Sequence, residues 1–322
     1  MNILELIGIV VLLYYIINLM LWIVLDSDIE LAVKEKFGQP LSSLRGKVVW
    51  ITGASSGIGK YLALDLAKYG VRLVISARRE NELIKVKEEC LDNCHGLLAR
   101  DDILILKMDM LDIDKHEDHF KNVIDHFGKL DILVNNAGRS QRAEWDKIDI
   151  QVDRDLFELD VFSVINLSRV VVRYFKQCAG GIGHIAITSS GAGLTALPFS
   201  ASYCGAKHAL HGYFASLKVE EQKIDVTVFC PGPIATDFLQ ESFTADPNKK
   251  YGERIASDDR RMTAERCGHL FAVALANKTY QSWVGLFPVS LLLYITQYFP
   301  NLRLMVMKIL GTRGIKKIRE GK

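Results

Sequence analysis

The sequence predicts an α/β fold: a doubly wound parallel sheet of about seven strands behind an N-terminal membrane-anchor helix. Three observations predict it. From residue 47 onward, short and near-continuous apolar runs alternate with amphipathic helical segments, the pattern of parallel strands covered on both faces. The first of these runs, starting at Val48, ends in a loop with three glycines, Gly53, Gly57 and Gly59, and passes at once into a helix. Ahead of it, residues 6–25 form an uncharged apolar run. That is the length of about 20 residues that a bilayer-spanning helix needs.

At 322 residues the chain suits one large core with an added membrane element better than two equal domains. The division expected is an anchor over 1–25, a polar linker over 26–46, a catalytic domain over 47–282 and an apolar segment with a basic tail over 283–322. A net charge of +2 gives no reason to expect a nucleic-acid partner. The six cysteines have no disulfide-framework spacing. Cys90-x3-Cys94-His95 lacks a second ligand pair, so no metal is expected.

In chain order, the apolar run comes first. A cleaved signal would carry a basic start, a shorter apolar core and small residues at the cut. Here Glu5 precedes the run and Asp26-Ser27-Asp28 follows it, which favours an uncleaved single-pass anchor. A core helix fits less well, because the apolar residues cover every face. Lys34 and Lys36 beyond the span tilt only weakly towards a cytoplasmic catalytic domain, so its side is left open. Strands are then expected at 71–76, 103–108, 132–135, 185–188, 226–230 and 281–286. Helices are expected at 80–93, 113–127, 153–177, 202–222 and 262–277.

The glycine loop, Thr52-Gly53-Ala54-Ser55-Ser56-Gly57-Ile58-Gly59, is the first chemical motif. Gly53 allows a turn closed to a Cβ, Gly57 lets a ligand approach the backbone, and Gly59 lets helix and strand pack. The first helical turn then presents N–H groups that favour an anion, such as a dinucleotide pyrophosphate. The second strand ends in Ser76-Ala77-Arg78-Arg79. An NAD site usually has a carboxylate there; a guanidinium instead suits a 2′-phosphate. Arg78 is therefore the expected clamp, Arg79 its assistant, and NADP(H) is favoured over NAD(H). A solvated arginine pair is the alternative. Asp109, ending the third strand, either accepts from the adenine amino group or caps the next segment. In Asn135-Asn136-Ala137-Gly138 small residues pass beside the cofactor while the amides tie strands together.

Tyr203-x3-Lys207 puts a phenol and an ammonium on one helical face. A free phenol has a pKa of about 10, and a nearby cation lowers it. Ser190, just after the fifth strand, can donate to a substrate oxygen.

Together these residues resemble the short-chain dehydrogenase/reductase family, over residues 46–267. Within it, the chain is similar to the membrane-anchored member 7 branch and more distantly to the microsomal 11-beta-hydroxysteroid dehydrogenases. The resemblance implies a Rossmann fold with Tyr203 as general acid/base and Lys207 acidifying it and holding the nicotinamide ribose. Ser190 would orient the carbonyl. Pro231-Gly232, Ile234 and Thr236 would line the nicotinamide and phosphate side, with Thr52, Ser55, Ser56 and Ile58 in the cofactor loop. There is one departure. Asp160 stands where the family usually has an asparagine of the proton relay, and its carboxylate is expected to raise the lysine pKa.

The segment 283–310 is rich in apolar residues and broken by Pro288 and Pro300. It reads as an apolar lid, an interfacial helix or a core helix; the basic residues from 313 to 322 touch head groups or stay solvated. An anchored enzyme with an apolar lid implies a lipophilic carbonyl or alcohol, of steroid, retinoid or lipid type. The membrane expected is the endoplasmic reticulum, and a homodimer is expected by analogy. Two alternatives stand beside this: a tethered nucleotide-binding scaffold with weakened catalysis, and an NAD-preferring alcohol dehydrogenase. Asn277-Lys278-Thr279 and Asn166-Leu167-Ser168 match the glycosylation pattern, the second within a helix.

Overall fold

Seven parallel strands form the central sheet of the computed structural model, which describes residues 2–252 and 259–320. They are β1 (Val48–Thr52), β2 (Arg72–Ala77), β3 (Ile103–Lys107), β4 (Ile132–Asn135), β5 (Gly183–Thr188), β6 (Ile224–Pro231) and β9 (Gln281–Val284), in the order β3-β2-β1-β4-β5-β6-β9. The sheet is parallel throughout because each strand returns through a helix. Trp50 of β1 pairs with Val74 on one side and Leu133 on the other. The order reverses between β1 and β4, and that reversal opens a crevice beyond the carboxyl ends of the strands.

Alternate residues of β1 serve opposite layers, as a period of two requires. Val49 and Ile51 face the core formed with α3 (Gly57–Ala67), α4 (Glu80–Asn93) and α9 (Ala264–Ala276). Val48 and Trp50 face the core formed with α5 (His116–Phe127), α7 (Ser163–Cys178) and α8 (Ala201–Glu220). Phe229 of β6 stacks on Phe271 of α9 with ring centroids 4.2 Å apart.

The strand and helix expectations hold with shifts of a few residues at their ends. One difference matters for the site. The long helix begins as α6 (Ile150–Phe157) and passes through a π-turn, Glu158–Phe162, before α7. A single extra residue in a helical turn leaves the apolar rhythm almost intact, so periodicity does not register it. A short pair, β7 (Ile234–Ala235) with β8 (Met262–Thr263), was also not foreseen; it fixes the chain just before Thr236.

At the N-terminus, α1 (Ile3–Val24) is the one helix among the described residues long and apolar enough to cross a membrane. Its side chains are exposed except near its end, where Trp22 is 6% exposed and packs against Tyr294, with ring centroids 4.8 Å apart. The polar stretch 26–46 is docked rather than loose. It holds α2 (Ile29–Phe37), Trp283 N–H donates to Asp28 Oδ2 at 2.7 Å, and Arg266 of α9 pairs with Asp26 at 2.7 Å and with Glu35. The C-terminal segment forms α10 (Val289–Tyr298) and α11 (Pro300–Glu320), the latter kinked at Gly311. The last two residues of the basic tail, 321–322, lie outside the described residues.

Both glycosylation patterns are built into the fold. Thr279 is buried, and Asn277 Nδ2 donates to Val273 O at 2.9 Å and Gln39 O at 3.3 Å. Asn166 Nδ2 lies 3.1 Å from His116 Nδ1.

Candidate active site

A cleft of about 1070 Å³ runs from the glycine loop, past Tyr203, to α10 and α11. Of the residues expected to bind the cofactor or act in catalysis, all line it except Gly59 and Asp160.

The glycine loop is stitched to the strand beside it. Thr52 Oγ1 accepts from the N–H groups of Asn136 at 3.0 Å and Ala137 at 3.1 Å. Asn136 Nδ2 donates to Thr52 O at 3.0 Å, and Thr188 Oγ1 donates to Asn136 Oδ1 at 3.0 Å. One amide thus ties β1, β4 and β5. Gly53 has φ +66°, and a Cβ on it would lie 2.8 Å from Ala137 Cα. A Cβ on Gly59 would lie 2.5 Å from Asn136 Nδ2. Ser56 is the N-cap of α3 but makes no side-chain capping bond, so first-turn N–H groups remain available to an anion. This cradle, narrowed to glycine width and opening at a helix N-terminus, fits a dinucleotide pyrophosphate.

The two arginines after β2 have different surroundings. Arg79, not Arg78, reaches the loop and donates to Ser55 Oγ at 3.1 Å and Ser56 Oγ at 2.9 Å. Arg78 is largely exposed, with Nη1 3.9 Å from Asp109 Oδ2. Asp109 Oδ1 accepts from Leu111 N–H at 3.1 Å, so of its two expected roles the backbone-capping one is visible. Thr236 stands opposite Gly57, its Cγ2 3.3 Å from where a Cβ would be.

Deeper in the cleft, α8 carries Tyr203 and Lys207 one turn apart, both buried. Lys207 Nζ donates to Thr188 O at 3.1 Å, lies 3.1 Å from Asp160 Oδ2 and is 5.6 Å from the centre of the Tyr203 ring. Ser190 lines the cleft with Tyr203; its Oγ donates to Pro231 O at 3.5 Å and accepts from Ala192 N–H at 3.1 Å. Asp160 owes its place to the π-turn. It is fully buried, and Oδ1 accepts from Arg139 N–H at 2.8 Å. Gly138 leaves it room: a Cβ there would lie 3.1 Å from Oδ2.

The electrostatics depart from the simple expectation. Burial pushes the Tyr203 phenol up; Lys207 and Ser190 pull it down, Asp160 pushes it up again, and the net direction is upward. Burial works to lower the Lys207 pKa, but Asp160 and Tyr203 outweigh it and the ammonium is held above its ordinary value. Burial raises the Asp160 carboxyl against the pull of Lys207 and the Arg139 N–H. Lys207 thus pulls the tyrosine down against burial, with Asp160 beside it as a counter-charge.

The substrate side is lined by residues of the apolar segment 283–310, which sequence reasoning offered as a lid without singling out its members. Val289, Leu292 and Leu293 of α10 and Val306, Met307 and Leu310 of α11 form an apolar wall. Arg142 also lines the cleft; a lone arginine in a loop gives no sequence signal.

A family model described as short chain dehydrogenase matches residues 47–247. The chain belongs to the short-chain dehydrogenase/reductase family. It is thus an oxidoreductase of that family, and the cleft lies at the dinucleotide position of its fold. Among relatives, the chain is 36% identical over 314 residues to human dehydrogenase/reductase SDR family member 7, covering 96% of this chain and 91% of that one. It is 34% identical over 221 residues to 11-beta-hydroxysteroid dehydrogenase 1A of Arabidopsis thaliana, covering 68% and 60% respectively. Among solved structures, an alcohol dehydrogenase from Thermococcus sibiricus complexed with 5-hydroxy-NADP has the same fold. Its TM-score is 0.64 at 20% identity, covering 75% of this chain and 97% of that one.

Proposed function

We propose that this short-chain dehydrogenase/reductase is NADP(H)-dependent and interconverts a lipophilic carbonyl and its alcohol, with Tyr203 as general acid/base. The observation that carries the proposal is that Tyr203, Ser190 and the glycine cradle face one cleft. Bound in the cradle, the dinucleotide supplies the hydride in reduction and accepts it in oxidation. The N–H groups of the first turn of α3 would hold its pyrophosphate, and Lys207 would hold its nicotinamide ribose. Ser190 Oγ and the Tyr203 hydroxyl hold the substrate oxygen and stabilise charge as it develops. Tyr203 gives that oxygen a proton in reduction and removes one in oxidation. Asp160 and the Thr188 carbonyl fix the Lys207 ammonium behind the tyrosine.

The preference for NADP(H) rests on Arg78 and Arg79 and on the missing carboxylate at the end of β2. Arg78→Ala is expected to weaken NADPH binding about tenfold or more, a charge-assisted pair, while NADH binding changes little. Equal NADPH affinity in the variant removes Arg78 from this role. The apolar wall from α10 and α11 supports the lipophilic substrate class. Asp160 is the one feature that favours weakened catalysis.

We also propose that α1 anchors the protein in the endoplasmic reticulum membrane, as the resemblance to microsomal enzymes suggests. Deleting residues 1–25 is expected to move the protein from the membrane pellet to the soluble fraction. Retention that high salt reverses assigns a second contact to the basic tail.

A further inference from the structure

We propose that Arg142 is an anion-binding group of the substrate pocket, so that preferred substrates carry a carboxylate close to the reacting carbonyl or alcohol. The inference rests on the oxidoreductase reading of the cleft and adds a substrate feature to it.

Arg142 lies four residues beyond the Asn-Asn-Ala-Gly turn and lines the cleft together with Tyr203. Its Nη1 donates to Ser140 Oγ at 2.7 Å, to Gln141 O at 2.9 Å and to Ser200 Oγ at 2.8 Å. Its backbone N–H donates to Phe243 O at 2.8 Å. The guanidinium is therefore held in place, and from one nitrogen. All three oxygens are neutral. They satisfy hydrogen bonds but do not cancel a charge.

Three other cations lining the cleft are paired. Lys207 has Asp160 at 3.1 Å, Arg261 has Asp259 at 3.0 Å, and Lys250 has Glu241 at 2.8 Å. Among the described residues no carboxylate comes within ion-pair distance of Arg142. Burial pushes its guanidinium down to about 10, and the interaction with Tyr203 is the largest influence in the other direction. At neutral pH it is still charged.

A desolvated cation without a counter-ion is unfavourable unless an anion arrives. Nη2 and Nε make no hydrogen bond among the described residues, and together they form the edge that takes a carboxylate through two parallel bonds. The proximity to Tyr203 places that anion near the reacting carbon, while the wall of Val289, Leu292, Leu293 and Val306 receives an apolar body.

The test uses full-length detergent-solubilised protein with NADPH and four aldehydes: 3-formylbenzoate, 4-formylbenzoate and their methyl esters. The expected result is a kcat/KM at least about tenfold higher for one acid than for its ester, with Arg142→Gln lowering that ratio about tenfold or more. Arg142→Lys should keep part of the preference, because the charge stays and the fork is lost. A role confined to acidifying Tyr203, or to packing, moves acid and ester alike and leaves the ratio unchanged, which overturns the proposal. A wild-type ratio of one or less also overturns it, and turnover of the esters then leaves the oxidoreductase reading intact. If none of the four is turned over, calorimetric binding of 3-formylbenzoate to the NADPH-saturated protein decides. A Kd about tenfold weaker in Arg142→Gln supports the proposal; an equal Kd refutes it.

Discussion

Tyr203→Phe is expected to lower kcat by about 10²–10⁴-fold, the usual range for loss of a general acid/base, with NADPH affinity nearly unchanged. The substitution removes one hydroxyl and keeps a ring that packs near Phe238, 6.1 Å between centroids. The glycine cradle, Asn136 and the arginines after β2 are untouched by it. Steady-state turnover of a lipophilic carbonyl, beside NADPH titration by fluorescence, separates the two effects. Loss of both would indicate a folding defect. Full turnover with normal binding would remove Tyr203 from proton transfer.

The second large effect is expected at Asp160. Burial is the main influence that raises the tyrosine; Asp160→Asn removes the smaller push from the carboxylate, so the Tyr203 pKa should fall. Oxidation needs the phenolate and therefore gains activity as pH rises through that pKa; reduction needs the phenol and loses activity there. Both limbs should move to lower pH. An unmoved pH profile would leave the carboxylate without an electrostatic part in the reaction. The same variant leaves the buried Lys207 without its counter-ion. Breaking such a pair costs about 3–5 kcal/mol, part of it spared if Asn keeps the bond from Arg139 N–H. Burial, then opposed by Tyr203 but no longer by the carboxylate, should lower the pKa of folded Lys207 below its unfolded value. A lysine so depressed destabilises the folded state at every pH below its folded pKa, and the penalty is lost between the folded and unfolded values, where the unfolded chain binds more protons. The stability deficit should therefore narrow as pH rises towards about 10.4. A deficit independent of pH would point to lost packing instead.

What could be read from the sequence follows from what each signal encodes. The strands were legible because a strand buried on both faces must be apolar along its length, as Val48 to Ile51 and Ile185 to Ile187 are. The cradle was legible because its backbone requires glycine at Gly53, Gly57 and Gly59. The ion pair of Asp160 with Lys207 was not, since it depends on a π-turn that adds one residue without changing the apolar pattern. Nor was the docking of residues 26–46 on α9: a polar stretch looks the same whether solvated or paired as Asp26 is with Arg266. Arg142 escaped notice for the same reason, because only three-dimensional neighbours reveal a cation without a carboxylate among the described residues.

The central claim is that proton donor and coenzyme act at one cleft. Coenzyme oxidation by the full-length protein on addition of lipophilic carbonyls tests it most directly, with NADPH and NADH in parallel. The account expects NADPH to be consumed faster than NADH and the reaction to vanish in Tyr203→Phe. NADPH that binds yet is consumed with none of the carbonyls, or is consumed equally by the phenylalanine variant, would contradict it.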